Sequence, residues 1–148
     1  MKESFKSYLE SIGITSRVII DRVEEILALV VDTGLMKQVD DIYVGEHLWG
    51  DETRVYESLL MFSGGRMVQA VDFLYRDQLK IAPIRAQFGG LEIEANNYDF
   101  KRATVKSKLK VQARGADDEL AVDGEATREN CDQLKSILQK YWMPNVRP

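Results

Sequence analysis

Cysteine and histidine are scarce in this 148-residue chain, and each scarcity removes a class of explanation. The single cysteine, Cys131, cannot form an internal disulfide. Together with the single histidine, His47, it falls short of the Cys/His set that a structural zinc site takes. Any Ser-His-Asp or Cys-His chemistry would have to use His47 as its base. No P-loop, GxGxxG, HExxH or nucleophile-elbow pattern occurs. Long apolar runs are missing too. The longest, Ile26-Leu-Ala-Leu-Val-Val31, is far short of the roughly 20 residues that span a bilayer. The start of the chain, MKESFKSYLES, is amphipathic and carries no signal-peptide core, so a cytoplasmic location with no integral membrane segment is expected. The net charge of −4 gives no global attraction to nucleic acid; such binding would need a local patch.

What is present supports a globular domain. Hydrophobic residues make up 45% of the chain, enough for a core. The first third reads helical. Ser4 can cap a short helix with Phe5, Tyr8, Leu9 and Ile12 at helical spacing, stopped by Gly13. Thr15 or Ser16 opens a second helix. Its apolar positions are Val18, Ile19, Val23, Ile26, Leu27, Val30 and Val31, widened by Ile20 and Leu29, and Gly34 is its stop. Such an apolar helix is buried against its own domain or against a second chain.

Near Asp40 the period changes from 3.6 to 2. Strands are predicted around 42–48, 54–62, 66–74, 79–82, 91–95, 103–114 and 119–122. Gly64-Gly65 marks a hairpin, Pro83 a strand end, and Gly89-Gly90 another turn. A last helix is expected from Asp123 or Thr127, with Glu125 in its first turn. Cys131, Leu134, Leu138 and Tyr141 form its stripe, with Ile137 and Trp142 beside it, and Pro144 prevents its continuation. The expected organisation is an N-terminal helical segment over 1–38 and an antiparallel β domain with a C-terminal helix over 39–148. That is an α+β fold of about seven strands closing on a single interior.

Three places resemble pleckstrin-homology-like domains of the small bacterial and GRAM types. Val44-Gly-Glu-His-Leu48 looks like the entry into the first strand, and Leu60-Met-Phe-Ser-Gly-Gly-Arg66 looks like the first hairpin. The stretch from Ala126 to Leu138 looks like the capping helix. The likeness covers about residues 40 to 142 and rests on layout. It implies a partly open barrel that binds a protein or assembles with itself. The basic cluster that eukaryotic members use for phosphoinositides is absent, since only Arg54 and Arg66 lie near that hairpin.

Several residues stand as candidate sites. In 103–114 one set of alternate positions is cationic. With its neighbours it makes a stripe of Lys101, Arg102, Lys106, Lys108, Lys110 and Arg114. One reading is an anion-binding surface, or single-stranded nucleic-acid binding with Tyr98 and Phe100, since alternate strand residues lie about 6.8 Å apart. The other is a solvated face neutralised by Glu92, Glu94, Asp117, Asp118, Glu119 and Asp123. His47 with Asp51 or Glu46 could act as an acid–base pair, or be an ordinary strand-end histidine. Glu92 and Glu94 could form a carboxylate pair or simply be solvated, and Cys131 sits where a small core side chain would. The apolar helix offers Val18, Ile19, Val23, Ile26, Leu27 and Val30 as an interface. The alternative is packing within the monomer, with Phe5, Tyr8 and Leu9 as a lid. The balance favours a non-catalytic binding or assembly module. It would need no cofactor or metal, and its partner would be a protein or a second copy of itself.

Overall fold

The computed structural model describes residues 1–49, 53–74, 80–84, 91–95, 98–99, 104–105, 109–114, 120–126 and 128–146. The fold is α+β. Two helices, α1 (Glu3–Ser11) and α2 (Arg17–Asp32), precede the strands. The first four strands are β1 (Asp41–Trp49), β2 (Thr53–Ser63), β3 (Arg66–Val71) and β4 (Lys80–Ile84). They pair antiparallel in sequence order, as an open sheet with β1 and β4 at its ends.

Both glycine stops hold. Gly13 takes φ +88°. The Gly13 amide donates to the Glu10 carbonyl, and the Ile14 amide to the Leu9 carbonyl, the paired bonds of a Schellman cap. Leu9 and Ile14 are both buried, which supplies the apolar contact that accompanies this cap. Gly34, at φ +79°, ends α2 in the same left-handed conformation.

Both faces of the sheet are covered. Ile42 and Val44, Leu59 and Met61, and Val68 and Ala70 point to one side. They pack there with Phe5, Leu9, Val23, Ile26 and Val30 of the N-terminal helices. Tyr43, Leu60, Phe62 and Met67 point to the other side, against Cys131, Leu134, Ile137, Leu138, Tyr141 and Trp142. The run Leu59-Leu-Met-Phe62 is therefore apolar at every position because each face has its own helical layer. For this four-stranded sheet the alternation therefore serves two apolar layers, one on each face. The segment 1–38 also shares its core with the sheet, so it is part of the same packed unit.

The remaining strands are β5 (Leu91–Ala95), β6 (Tyr98–Asp99), β7 (Thr104–Val105), β8 (Leu109–Arg114) and β9 (Leu120–Ala126). They form a three-stranded sheet ordered β5-β8-β9 and a two-stranded β6-β7 ladder. The stretch 103–114, expected as one strand, is thus divided between two sheets. Strict alternation encodes a pleat but not a partner. The strand expected over 66–74 ends at Val71, where Asp72 takes φ +53° and turns the chain. Pro83 lies inside β4 rather than ending it, at an edge of the sheet order, where proline is tolerated.

The C-terminal helix begins at the later of its two expected starts, directly after Thr127, and differs from expectation at its far end. Glu125 lies in β9, and α3 spans Arg128–Ile137. It continues through a π turn (Leu138–Trp142) into a short α4 (Met143–Val146) that contains Pro144. Proline cannot donate to the carbonyl four residues back, and its ring crowds that carbonyl. The widened turn just before it, with the Met143 amide on the Leu138 carbonyl, shifts the ladder where Pro144 would have broken it.

Candidate functional site

Among the described residues the most exposed large apolar side chains lie on the outer flank of α2, with Val31 of the same helix and Val71 of β3 exposed to a lesser degree elsewhere. Val23, Ile26 and Val30 are spent inside the chain's own core, and Ile19 and Leu27 pack against it. Of the interface expected from sequence, only Val18 remains on the outside, at 76% exposed. Leu29, read from sequence only as widening the apolar face, is 47% exposed. Residues four, three and four apart share one stripe of a helix. Val18, Arg22, Glu25 and Leu29 have that spacing within α2. The stripe is apolar at its two ends and ionic in its middle.

Arg22 fixes this surface to the body of the protein. Its Nε donates to the Phe73 carbonyl at 3.3 Å, and its Nη1 meets Glu25 Oε2 at 3.4 Å. A shallow groove of about 260 Å3 runs alongside, lined by Val18, Ile19, Asp21, Arg22, Glu25 and Leu74. Its described lining carries an arginine and two carboxylates.

A second polar constellation seals the edge of β1. The Val44 amide donates to the Tyr8 hydroxyl at 2.8 Å, and that hydroxyl donates to Asn130 Oδ1 at 2.7 Å. Asn130 Nδ2 donates back to the Val44 carbonyl at 2.8 Å. Gln133 Nε2 donates to the Ile42 carbonyl at 2.6 Å. Asn130 is fully buried. Side chains of α1 and α3 thus replace a neighbouring strand at β1, and strand addition is blocked at these positions.

At the start of β1, Asp40 Oδ1 accepts from Gln38 Nε2 and Asp40 Oδ2 from Ser63 Oγ, both at 2.8 Å. Asp41 Oδ2 accepts from the Tyr141 hydroxyl at 2.6 Å and from Lys140 Nζ at 2.7 Å. Burial, then the hydrogen bond to Asp41 and the charges of Asp41 and Asp40, raise the Tyr141 phenol well above its ordinary value. The cluster ties the C-terminal helix to the sheet. Asp41 is thus engaged by both a cation and a hydroxyl.

The cationic stripe is only partly within view. Lys101, Arg102, Lys106, Lys108 and Phe100 lie outside the described residues, as do Asp117, Asp118 and Glu119. The backbone register places Lys110 opposite Glu94 on β5 and opposite Glu125 on β9. Gln112 lies opposite Glu92 and Asp123. Arg114 follows a register shift and lies opposite Leu120. Tyr98 pairs with Val105 in the separate β6-β7 ladder, so it does not share a sheet with Lys110. His47 lies in β1 opposite Val55; its side chain and Asp51 are outside the described residues. Cys131 is buried in the core. Among the described residues no cluster of His, Cys, Asp and Glu could hold a metal ion. No helix there is long and apolar enough to cross a membrane.

No family model matches the chain, and no curated protein or solved structure shows significant similarity to it.

Proposed function

We propose that this protein is a non-catalytic assembly module that contacts another protein through the outer flank of α2. One observation carries the reading: Val18 at 76% and Leu29 at 47% exposed, on one flank of a helix whose Val23, Ile26 and Val30 are packed into the core, while Val31 is exposed on the opposite flank. Leaving a valine and a leucine in water on an ordered helix, with an ionic pair between them, suits a surface that is covered in the working state. The pleckstrin-homology-like layout belongs to the same proposal. β9 runs beside β1, so the two larger sheets adjoin, as a partly open barrel would require. The basic strand receives no ligand in this reading, because Lys110 stands between acidic register positions on both sides.

The test is a full-length Val18→Glu/Leu29→Glu double variant beside Lys110→Gln. Light scattering and chemical crosslinking would report mass and neighbours. Both α2 positions are exposed, so the fold should be kept. The α2 variant should lose the assembly that the native chain shows, and Lys110→Gln should keep it. Identical masses and identical crosslinks in the native chain and the α2 variant would refute the reading.

A further inference from the structure

The reading of the α2 flank as a contact surface leaves its partner open; the inference here rests on that reading and names the partner. We propose that the flank is self-complementary and pairs with the α2 of a second copy, antiparallel, about a two-fold axis midway between Val23 and Glu24. The stripe itself carries the argument. Val18 and Leu29 lie equally far from that midpoint, and so do Arg22 and Glu25. A two-fold axis there sets Val18 of each copy over Leu29 of the other, and Arg22 of each copy beside Glu25 of the other.

Two-fold interfaces must be self-complementary, with residue i meeting j and j meeting i. This stripe meets that condition in shape and in charge. The four-three-four spacing is that of a coiled-coil seam, which two helices use at 8–10 Å separation. A parallel arrangement would set Arg22 against Arg22 and Glu25 against Glu25, so charge selects the antiparallel one. Within one copy Arg22 and Glu25 already meet at 3.4 Å, and pairing would join the two ion pairs into a four-membered network. At 19% exposed, the Arg22 side chain is held in place by the Phe73 carbonyl, so its charge is positioned before the partner arrives. The seam covers about three helical turns, which corresponds to a small interface and a concentration-dependent dimer.

The experiment uses charge exchange in the full chain. Glu25→Arg alone places four cations on the axis, and Arg22→Glu alone places four anions. Each variant by itself should dissociate, with dimer affinity down about tenfold or more in sedimentation equilibrium. Mixed one to one, they should dimerise again, because every cation then faces an anion. Because Arg22→Glu also removes the bond to Phe73, a second arm needs no charge change. Val18→Cys and Leu29→Cys chains under mild oxidation should form a disulfide-linked dimer when mixed and little when alone. Cys131 is buried and gives little background. A Val18→Cys chain that crosslinks to itself would overturn the antiparallel register while leaving the contact surface standing. A native chain that stays monomeric at millimolar concentration would overturn self-pairing. If its Val18→Glu/Leu29→Glu variant also loses no crosslinked neighbour in cell extract, the contact surface falls with it.

Discussion

Substituting Asn130 by alanine should cost far more than an average point substitution. Asn130 is fully buried and makes two bonds, accepting from the Tyr8 hydroxyl and donating to the Val44 carbonyl. Alanine takes away the donor to that carbonyl and the acceptor of that hydroxyl. Each polar group stripped of its partner in a buried site costs about 1–3 kcal/mol, so the expected loss for the two is about 2–6 kcal/mol. That is a large part of the roughly 5–15 kcal/mol that stabilises a domain. With a urea slope of about 1.5 kcal/mol/M, a loss near 3 kcal/mol lowers the midpoint by about 2 M with the slope unchanged.

The stronger form of this prediction is a double-mutant cycle with Tyr8→Phe. That change removes the acceptor of the Val44 amide and a donor to Asn130 Oδ1. Each single variant breaks two bonds of a three-bond ring, and the bond between the two side chains is common to both. The double variant should therefore cost little more than either single one. The coupling energy should be about 2 kcal/mol. Urea titration followed by circular dichroism measures all four corners. Additivity within about 0.5 kcal/mol, or a loss under about 1 kcal/mol for Asn130→Ala, would refute the idea that the ring acts as one unit. The same variant uncovers the edge of β1, so aggregation should rise at concentrations where the native chain stays soluble.

Gly45→Ala should destabilise by about 1–3 kcal/mol, because the added Cβ would lie 2.7 Å from Ser58 Oγ. Adding Ser58→Ala removes that oxygen and should recover most of the loss in thermal melts. For Tyr141, the raised phenol pKa means that its stabilisation is complete below the ordinary value of 10.0 and is lost as pH rises above it. Stability of the native chain should therefore fall with alkaline pH more steeply than that of Tyr141→Phe, and phenolate absorbance should show one tyrosine titrating only on unfolding. Deleting residues 1–36 should yield an unfolded or aggregated product, since Leu9, Ile12, Ile14, Val23, Ile26, Val30 and Met36 leave the core together. A folded, soluble truncation would show that the sheet needs no N-terminal layer.

The features legible in the sequence are those whose signal is local. Gly13, Gly34 and Gly64 all adopt positive φ where the stops and the hairpin were read, because a left-handed residue is a property of one position. Strand identity along 41–49, 53–63 and 91–95 followed from the pleat. Partnership did not. The alternation of 103–114 gave no hint that β7 and β8 belong to different ladders. Two signals were present but were read otherwise. Leu59-Leu-Met-Phe62 breaks the alternation, and a run without a polar position needs cover on both faces. Asn130 lies four residues before Leu134, in phase with the apolar stripe of α3, and a polar side chain there has to find partners inside. In α2 the apolar positions singled out from sequence are mostly ones the chain's own core takes up. The 4-3-4 spacing of Val18, Arg22, Glu25 and Leu29 picks out the outer ones.

The architecture narrows where a partner can dock. One face of the four-stranded sheet is covered by α1 and α2 and the other by α3 with its π turn. The edge of β1 is closed at Ile42 and Val44 by Gln133, Asn130 and Tyr8. Those surfaces are committed to the fold, and uncovering any of them costs stability. The flank of α2 carries no such obligation: Val18 and Leu29 can be changed without opening the core, and Arg22 is anchored from behind by Phe73. An exposed valine and leucine on that flank add less to the monomer's core than the buried positions of the same helix do. In the antiparallel pair proposed above, their symmetric placement about Arg22 and Glu25 would bury both ends and match both charges.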